Sequence, residues 1–193
     1  MPDRIIYLHG FNSSPDSEKA QLFTRYFNQQ AKAGLDLLVP ELSYDPQQAI
    51  ALLEELIEEV GECYLVGSSL GGYYASYLSE KYNLLAALVN PAVSPTKTLS
   101  AAFLGSHTNS YTSEEYELTM AHVDYLSTLE ADVLQYPENF LLLVQTGDEV
   151  LDYHLALKRY AGAKQIVQNG GNHGFVGFDA VLPEIFSFAK LLE

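Results

Sequence analysis

The chain has 193 residues, of which 48% are hydrophobic and 18% are charged. This composition is typical of a folded protein that is long enough to bury a core, and it excludes an intrinsically disordered chain. The 25 acidic residues outnumber the 10 basic ones, so that the net charge is −15. Because such a charge repels the phosphates of nucleic acids and the surfaces of anionic lipids, we expect neither as a partner.

The cysteine content and the hydropathy pattern bear on location. The one cysteine, Cys63, cannot form a disulfide within the chain. The sequence contains no N-terminal signal pattern and no apolar run of about 18 residues, the length that a membrane-spanning helix needs. We therefore predict a cytoplasmic protein without a membrane span.

Short apolar runs alternate with segments of helical spacing along most of the chain. Strands are predicted at residues 4–8, 37–40, 63–66, 84–89, 140–145 and 164–167. Most of them are followed by apolar residues that recur every three or four positions, which indicates amphipathic helices. The clearest helix start is Asp45-Pro46, a capping residue followed by a proline at the first helical position.

Residues 94–137 interrupt this alternation. Serine and threonine become frequent there, and acidic residues cluster beside Tyr111 and Tyr116. We predict that this segment forms one or two short helices, inserted as a small cap over the edge of the sheet within a single domain of residues 1–193.

Regular alternation of strands and helices predicts an α/β fold with about six mainly parallel strands and helices on both faces. Right-handed crossovers in such a sheet bring the loops that follow the strands together at one edge, at the carboxyl ends of the strands. A short helical insertion at the edge of the sheet completes the architecture that the alternation predicts.

The motif Gly-x-Ser-x-Gly at residues 67–71 lies between a predicted strand and a predicted helix, with Ser69 at its centre. At such a tight strand-to-helix turn the serine adopts a strained backbone conformation, and its Oγ projects from the sheet edge. Gly67 and Gly71 are expected because a Cβ at either position would collide with the neighbouring strand or helix.

Three further loops with reactive side chains follow strands. His9-Gly10-Phe11 follows the first strand, Asp148 follows the strand at 140–145, and His173 follows the strand at 164–167. The chain order serine, acid, histidine is that of α/β-hydrolases. Asp152 is an alternative to Asp148 as the acid.

The chain resembles the α/β-hydrolase superfamily and, in detail, the small YqiA/YcfP-type bacterial esterases. Four segments in the same order carry the resemblance: Tyr-Leu-His-Gly-Phe-Asn-Ser-Ser-Pro, Gly-Ser-Ser-Leu-Gly-Gly, Thr-Gly-Asp-Glu-Val-Leu-Asp-Tyr and Gly-Gly-Asn-His-Gly-Phe. Together they run through nearly the whole chain. The resemblance implies the compact α/β-hydrolase fold with a short helical cap insertion.

The resemblance implies a role for each of five residues. Ser69 is the nucleophile, His173 is the general base, and Asp148 orients the histidine. The backbone N–H groups of Phe11 and Leu70 form the oxyanion hole.

Five more residues are expected to bind the substrate or to support the site: His9, Gly10, Asn12, Ser68 and Asp152. The ring of His9 is expected to brace its loop by hydrogen bonds, and Ser68 is expected to face inward. In the family's pattern the acid directly follows the strand-ending turn, which favours Asp148 and leaves Asp152 as a supporting or solvated residue.

The function that the resemblance implies is hydrolysis of a small-molecule carboxylic ester or acyl thioester, whose acyl group we expect the tyrosine-rich insertion to hold. No cofactor is expected, and no metal site either, because the remaining histidines lack a paired ligand spacing. A C–C bond hydrolase or lyase using Ser69 and His173 is an alternative. A non-catalytic binding module is a second alternative, although it is disfavoured by the presence of all three candidate triad residues. The oligomeric state is not indicated.

Overall fold

The computed structural model describes residues 2–95, 104–131 and 133–192 of the chain. The strands within these residues are β1 (Arg4–Leu8), β2 (Asp36–Leu38), β3 (Tyr64–Ser68), β4 (Leu85–Val89), β5 (Gly105–Thr108), β6 (Glu115–Leu118), β7 (Phe140–Gln145) and β8 (Lys164–Gln168). The α-helices are α1 (Glu18–Gln30), α2 (Pro46–Val60), α3 (Leu70–Tyr82), α4 (Met120–Thr128), α5 (Tyr153–Arg159) and α6 (Phe178–Phe188). A 3₁₀ turn at Pro137–Asn139 precedes β7.

Six strands form one sheet in the order β2-β1-β3-β4-β7-β8, and every neighbouring pair is parallel. This confirms the predicted α/β fold and its strand number. Because all six strands run the same way, the loops that follow β1, β3, β7 and β8 lie at one edge of the sheet.

Alternating residues of the central strands pack into two hydrophobic layers, because successive side chains of a strand point to opposite faces of the sheet. Ile6 and Leu8 of β1 face the layer that includes Leu53 of α2 and Leu78 of α3. Ile5 and Tyr7 face the opposite layer, which α1 and α6 cover. Burial on both faces explains why these strands read as continuous apolar runs in the sequence.

Helix α2 begins as the sequence predicts. Asp45 is the N-cap and accepts a hydrogen bond from the Gln47 N–H at 2.9 Å, and Pro46 is the first helical residue.

The inserted segment differs from the prediction, because it contains strands as well as a helix. β5 and β6 pair as an antiparallel hairpin, and α4 follows it. Tyr116 and Leu118 are buried while Glu115 and Glu117 are exposed, so β6 alternates with the period of a strand. The prediction of helices alone is therefore wrong for β5 and β6. Residues 96–103 and 132 of the insertion lie outside the described residues.

The hairpin lies on the loop after β1. Asn109 donates a hydrogen bond from Nδ2 to the Ser13 carbonyl oxygen at 3.0 Å, and the Tyr116 hydroxyl donates to Asn12 Oδ1 at 3.2 Å.

Within the described residues, no helix has the combined length and apolar character needed to cross a bilayer.

Candidate active site

Ser69 lies at the turn between β3 and α3, with φ 55° and ψ −121°. A positive φ is rare for a residue with a Cβ, and such a backbone persists only where its surroundings impose it. The Ser69 N–H donates to the Val89 carbonyl at 3.1 Å, and the Ser69 carbonyl accepts from the N–H groups of Gly72 and Ala92, both at 3.0 Å. These bonds hold the serine in the strained conformation that its motif predicts.

The two motif glycines lie where the backbone segments approach most closely. An ideal Cβ on Gly67 would lie 2.3 Å from the Gly71 carbonyl oxygen, and one on Gly71 would lie 2.2 Å from the Leu8 carbonyl oxygen. Both positions therefore exclude any side chain, as predicted. The short distance to Leu8 also shows how tightly the start of α3 packs on the end of β1.

Ser69, His173 and Asp148 lie in a hydrogen-bonded row. His173 Nε2 is 3.0 Å from Ser69 Oγ, and His173 Nδ1 is 2.9 Å from Asp148 Oδ2. The Asp148 side chain is only 2% exposed and that of His173 is 22% exposed. Ser69 is 104 positions from His173 along the chain and Asp148 is 25 positions from it, yet the three residues meet at the carboxyl edge of the sheet.

Asp148 is held ionised by its surroundings. Burial alone would raise the pKa of its carboxyl group. The hydrogen bond with His173 and those from the backbone N–H groups of Leu151 and Val150 outweigh burial, so the pKa is lowered from its ordinary value of 3.8. A carboxylate at Nδ1 keeps the proton of a neutral imidazole on that nitrogen and leaves Nε2 free to accept a proton from Ser69.

Two buried amides that the sequence reasoning missed hold the His173 loop. Asn90 Nδ2 donates to the carbonyl oxygens of Asn172 at 3.0 Å and His173 at 3.2 Å. Gln145 Oε1 accepts from the N–H groups of Asn172 and Val176 at 3.0 and 2.9 Å. Asn90 also accepts from the Gln145 N–H, so that the ends of β4 and β7 fix this loop together.

A signal for these two amides is present in the sequence. Asn90 directly follows an apolar strand and Gln145 ends another, and polar residues at such positions face the functional edge. Glu149 was also missed, and its Oε2 accepts from the His173 backbone N–H at 3.0 Å.

The loop after β1 passes directly beside Ser69. An ideal Cβ on Gly10 would lie 3.1 Å from Ser69 Cβ and 3.6 Å from its Oγ. A larger residue at Gly10 would therefore push the loop away from the serine. Phe11 follows Gly10 and lines a cleft that also contains Ser69. Ser68 is buried, as expected, and lines the same cleft.

His9 braces this loop, as the sequence indicates. Its ring is buried, Nδ1 donates to the Gly10 carbonyl at 2.9 Å, and Nε2 accepts from the Leu42 N–H at 3.1 Å. Burial lowers the pKa of His9 from its ordinary value of 6.5, and the bond to Gly10 partly opposes this. Glu41 Oε1 lies 3.7 Å from Nε2, but a proton on Nε2 would break the Leu42 bond, so we take the ring to be neutral.

The stability of the protein is expected to depend on pH through His9. Because the folded-state pKa lies below 6.5, the unfolded chain binds the proton first. The contribution of the neutral ring is full above pH 6.5 and is lost as the pH falls through 6.5 toward the folded-state pKa.

Urea unfolding at pH 7.5 and pH 5.5 measures this dependence. The wild type is expected to lose more free energy of unfolding between the two pH values than His9→Gln, which retains an amide donor and acceptor. An equal loss in both proteins would mean that His9 does not carry the effect.

Helix α3 directs its N-terminus at the site. Leu70 is the first helical residue, and an N–H at this position has no acceptor within the helix. The positive end of the helix dipole adds to this donor. The predicted pair of N–H groups, from Leu70 and Phe11, therefore lies on the two segments that flank Ser69.

A cleft of about 300 Å³ opens in front of Ser69 and His173. Its other lining residues include Phe11, Lys19 and Tyr111. Tyr116 of the insertion packs instead on Phe11, with ring centroids 6.2 Å apart, and does not line this cleft. Asn12 lines the cleft, and its side chain is also bonded to the hairpin.

Asp152 lies apart from the hydrogen-bonded row. It caps α5, and its Oδ1 accepts from the His154 N–H at 3.0 Å and lies 2.8 Å from His154 Nδ1. In the described residues His173 is hydrogen-bonded to Asp148 and not to Asp152, which favours Asp148 of the two candidate acids.

The described part of the chain holds no cluster of three or more metal-ligand side chains.

The fold is found in solved structures of α/β-hydrolases. Alpha/beta hydrolase domain-containing protein 10 from mouse matches with a TM-score of 0.72 and 16% identity, over 96% of this chain and 89% of that one. Est1E from Butyrivibrio proteoclasticus, solved with ferulic acid bound, matches with a TM-score of 0.68 and 14% identity, over 98% and 88%. The monoacylglycerol lipase of Paleococcus ferrophilus matches with a TM-score of 0.66 and 18% identity, over 97% and 96%.

These matches define the fold as that of the α/β-hydrolase superfamily, as the sequence motifs predict. At the level of families, residues 4–190 match the model of the uncharacterised protein family UPF0227, and the chain belongs to that family.

Proposed function

We propose that the protein is a serine hydrolase that cleaves carboxylic esters or acyl thioesters through an acyl-enzyme intermediate. The observation that carries this proposal is the row from Ser69 Oγ through His173 to Asp148, set on a strained turn at the carboxyl edge of the sheet. The monoacylglycerol lipase of the same fold supports it as an analogy.

In the first step, Ser69 Oγ attacks the carbonyl carbon of the substrate while His173 Nε2 takes its proton. The tetrahedral intermediate then collapses, the bond to the leaving oxygen or sulfur breaks, and His173 returns the proton to that atom. Water, activated by the same histidine, releases the acid from Ser69. Asp148 stabilises the imidazolium in both steps and keeps its own charge.

The negative charge on the carbonyl oxygen is assigned to the backbone N–H groups of Leu70 and Phe11. Each lies on a segment beside Ser69, and the tight packing of Gly71 on Leu8 keeps those segments together. A preorganised donor of this kind typically contributes about 10²–10³ in rate.

Hydrolysis of p-nitrophenyl acetate and p-nitrophenyl butyrate, followed by the absorbance of p-nitrophenolate, tests this proposal. Turnover on the order of 1 s⁻¹ or faster is expected for the wild type on at least one of them. Complete inactivity of folded protein on both esters and on the matching thioesters would contradict the proposal. That result would favour the C–C bond hydrolase or the binding module.

A further inference from the structure

Lys19 lies at the candidate active site, although the function proposed above assigns it no role. It lies in the first turn of α1, is half-buried, and lines the cleft that contains Ser69 and His173. Its Nζ donates to the Gly174 carbonyl oxygen at 3.2 Å. An ammonium group has three donors, so this bond leaves two for other acceptors.

Lys19 places a positive charge at the cleft of a protein whose net charge is negative. The chain carries a net charge of −15. Of the described residues lining the cleft, only Lys19 is a lysine or arginine, and only Glu18 is a carboxylate. Burial lowers the pKa of Lys19 from its ordinary value of 10.5, although the negative charges of Asp148 and Glu18 act to raise it. An ammonium that has lost part of its hydration gains most from an anionic partner.

The position of Lys19 relative to His173 indicates which half of a substrate it would contact. His173 Nε2 must reach both Ser69 Oγ and the atom that leaves, so the leaving group lies on the histidine side of the serine. Gly174, the residue to which Lys19 is bonded, directly follows His173. Lys19 therefore contacts the loop that carries His173, the side of the cleft on which the leaving group must lie, whereas Gly10 lies beside Ser69.

The rest of the cleft wall is compatible with a polar group. Three of its lining residues, Ser13, Ser17 and Tyr111, carry hydroxyl groups. An alkyl chain placed here would remove these groups from water without replacing their hydrogen bonds, which is unfavourable.

We propose that the preferred substrates are esters or thioesters whose leaving alcohol or thiol carries an anionic group, with Lys19 as its cationic partner. This inference rests on the proposed hydrolase function and adds a substrate class to it. Glu18 opposes the same anion from the exposed rim of the cleft.

Two esters that differ in one charge test the inference. 3-Acetoxybenzoate and 3-acetoxybenzamide share an acetyl group and a similar shape, but only the first has an anionic leaving group. The ratio of their kcat/KM values is the charge preference. We expect a ratio above 1 for the wild type and a fall of about tenfold in Lys19→Met, the size of a charge-assisted hydrogen bond that is partly screened by solvent.

Three variants complete the test. Lys19→Arg keeps the charge and is expected to retain most of the preference. Glu18→Gln removes a repulsive charge and is expected to raise the preference about twofold. Lys32→Met is the matched control, because Lys32 also donates to a backbone carbonyl, that of Lys190 at 2.8 Å, but does not line the cleft. Its ratio is expected to equal that of the wild type.

The outcomes separate this inference from the proposed function. A wild-type ratio of 1 or less, or an equal loss on both esters in Lys19→Met, would overturn the inference, since Lys19 would then serve only the Gly174 carbonyl. Measurable hydrolysis in those cases leaves the hydrolase function standing. Failure of the folded wild type to hydrolyse either of these two esters, any ester of the p-nitrophenyl series and the matching thioesters would overturn both.

Discussion

Replacing Ser69 with alanine is expected to lower kcat on a p-nitrophenyl ester by about 10⁴- to 10⁶-fold. Alanine removes the Oγ that lies 3.0 Å from His173 Nε2, and no acyl-enzyme can form without it. The residual rate would come from binding and from the oxyanion donors alone. The absorbance of p-nitrophenolate measures both rates. Because a trace of contaminating esterase would mask so large a loss, the wild type and Ser69→Ala should be purified identically.

Ser76→Ala is the matched control for Ser69→Ala. Ser76 is a buried serine of α3, one and a half turns beyond the motif, and it lines no part of the cleft. Its kcat is expected to stay within about threefold of the wild type. A Ser69→Ala protein that retains a tenth or more of the wild-type rate would mean that another residue is the nucleophile.

Replacing Gly71 with alanine is expected to destabilise the protein by about 3 kcal/mol or more and to abolish activity. The new Cβ would lie 2.2 Å from the Leu8 carbonyl oxygen and 2.4 Å from that of His9. Both neighbours are backbone atoms, so α3 and the end of β1 would have to separate. That movement would also displace the Phe11 and Leu70 N–H groups from each other.

Urea unfolding of Gly71→Ala and Gly34→Ala isolates the effect of the collision. Gly34 has φ 88° and no atom within 4 Å of an ideal Cβ, so alanine there introduces backbone strain without a collision. We expect about 1 kcal/mol at Gly34. Comparable losses at the two positions would show that the packing of α3 on β1 is looser than the structure indicates.

The elements that sequence reasoning found are those whose signals are local. The strands buried on both faces appear as uninterrupted apolar runs, and the Ser69 turn carries its own glycines. The meeting of Ser69, Asp148 and His173 followed from topology, because each residue lies in the segment that follows a parallel strand of the same sheet.

The parts that were missed depend on contacts that are remote in sequence. The hairpin of β5 and β6 has strands of only four residues, and its alternation around Tyr116 is too short to distinguish from a polar loop or a short helix. Asn90 bonds to the carbonyl of Asn172, 82 residues away, and nothing local to Asn90 specifies that partner.

The central claim is that Ser69 is a nucleophile activated by His173. Labelling with a fluorophosphonate probe, followed by peptide mapping, tests it most directly, because this reagent needs an activated serine but no particular substrate. We predict one phosphonylated residue, Ser69, in the wild type, and no labelling in Ser69→Ala. Absence of labelling on folded wild-type protein, or labelling of a different residue, would contradict the account.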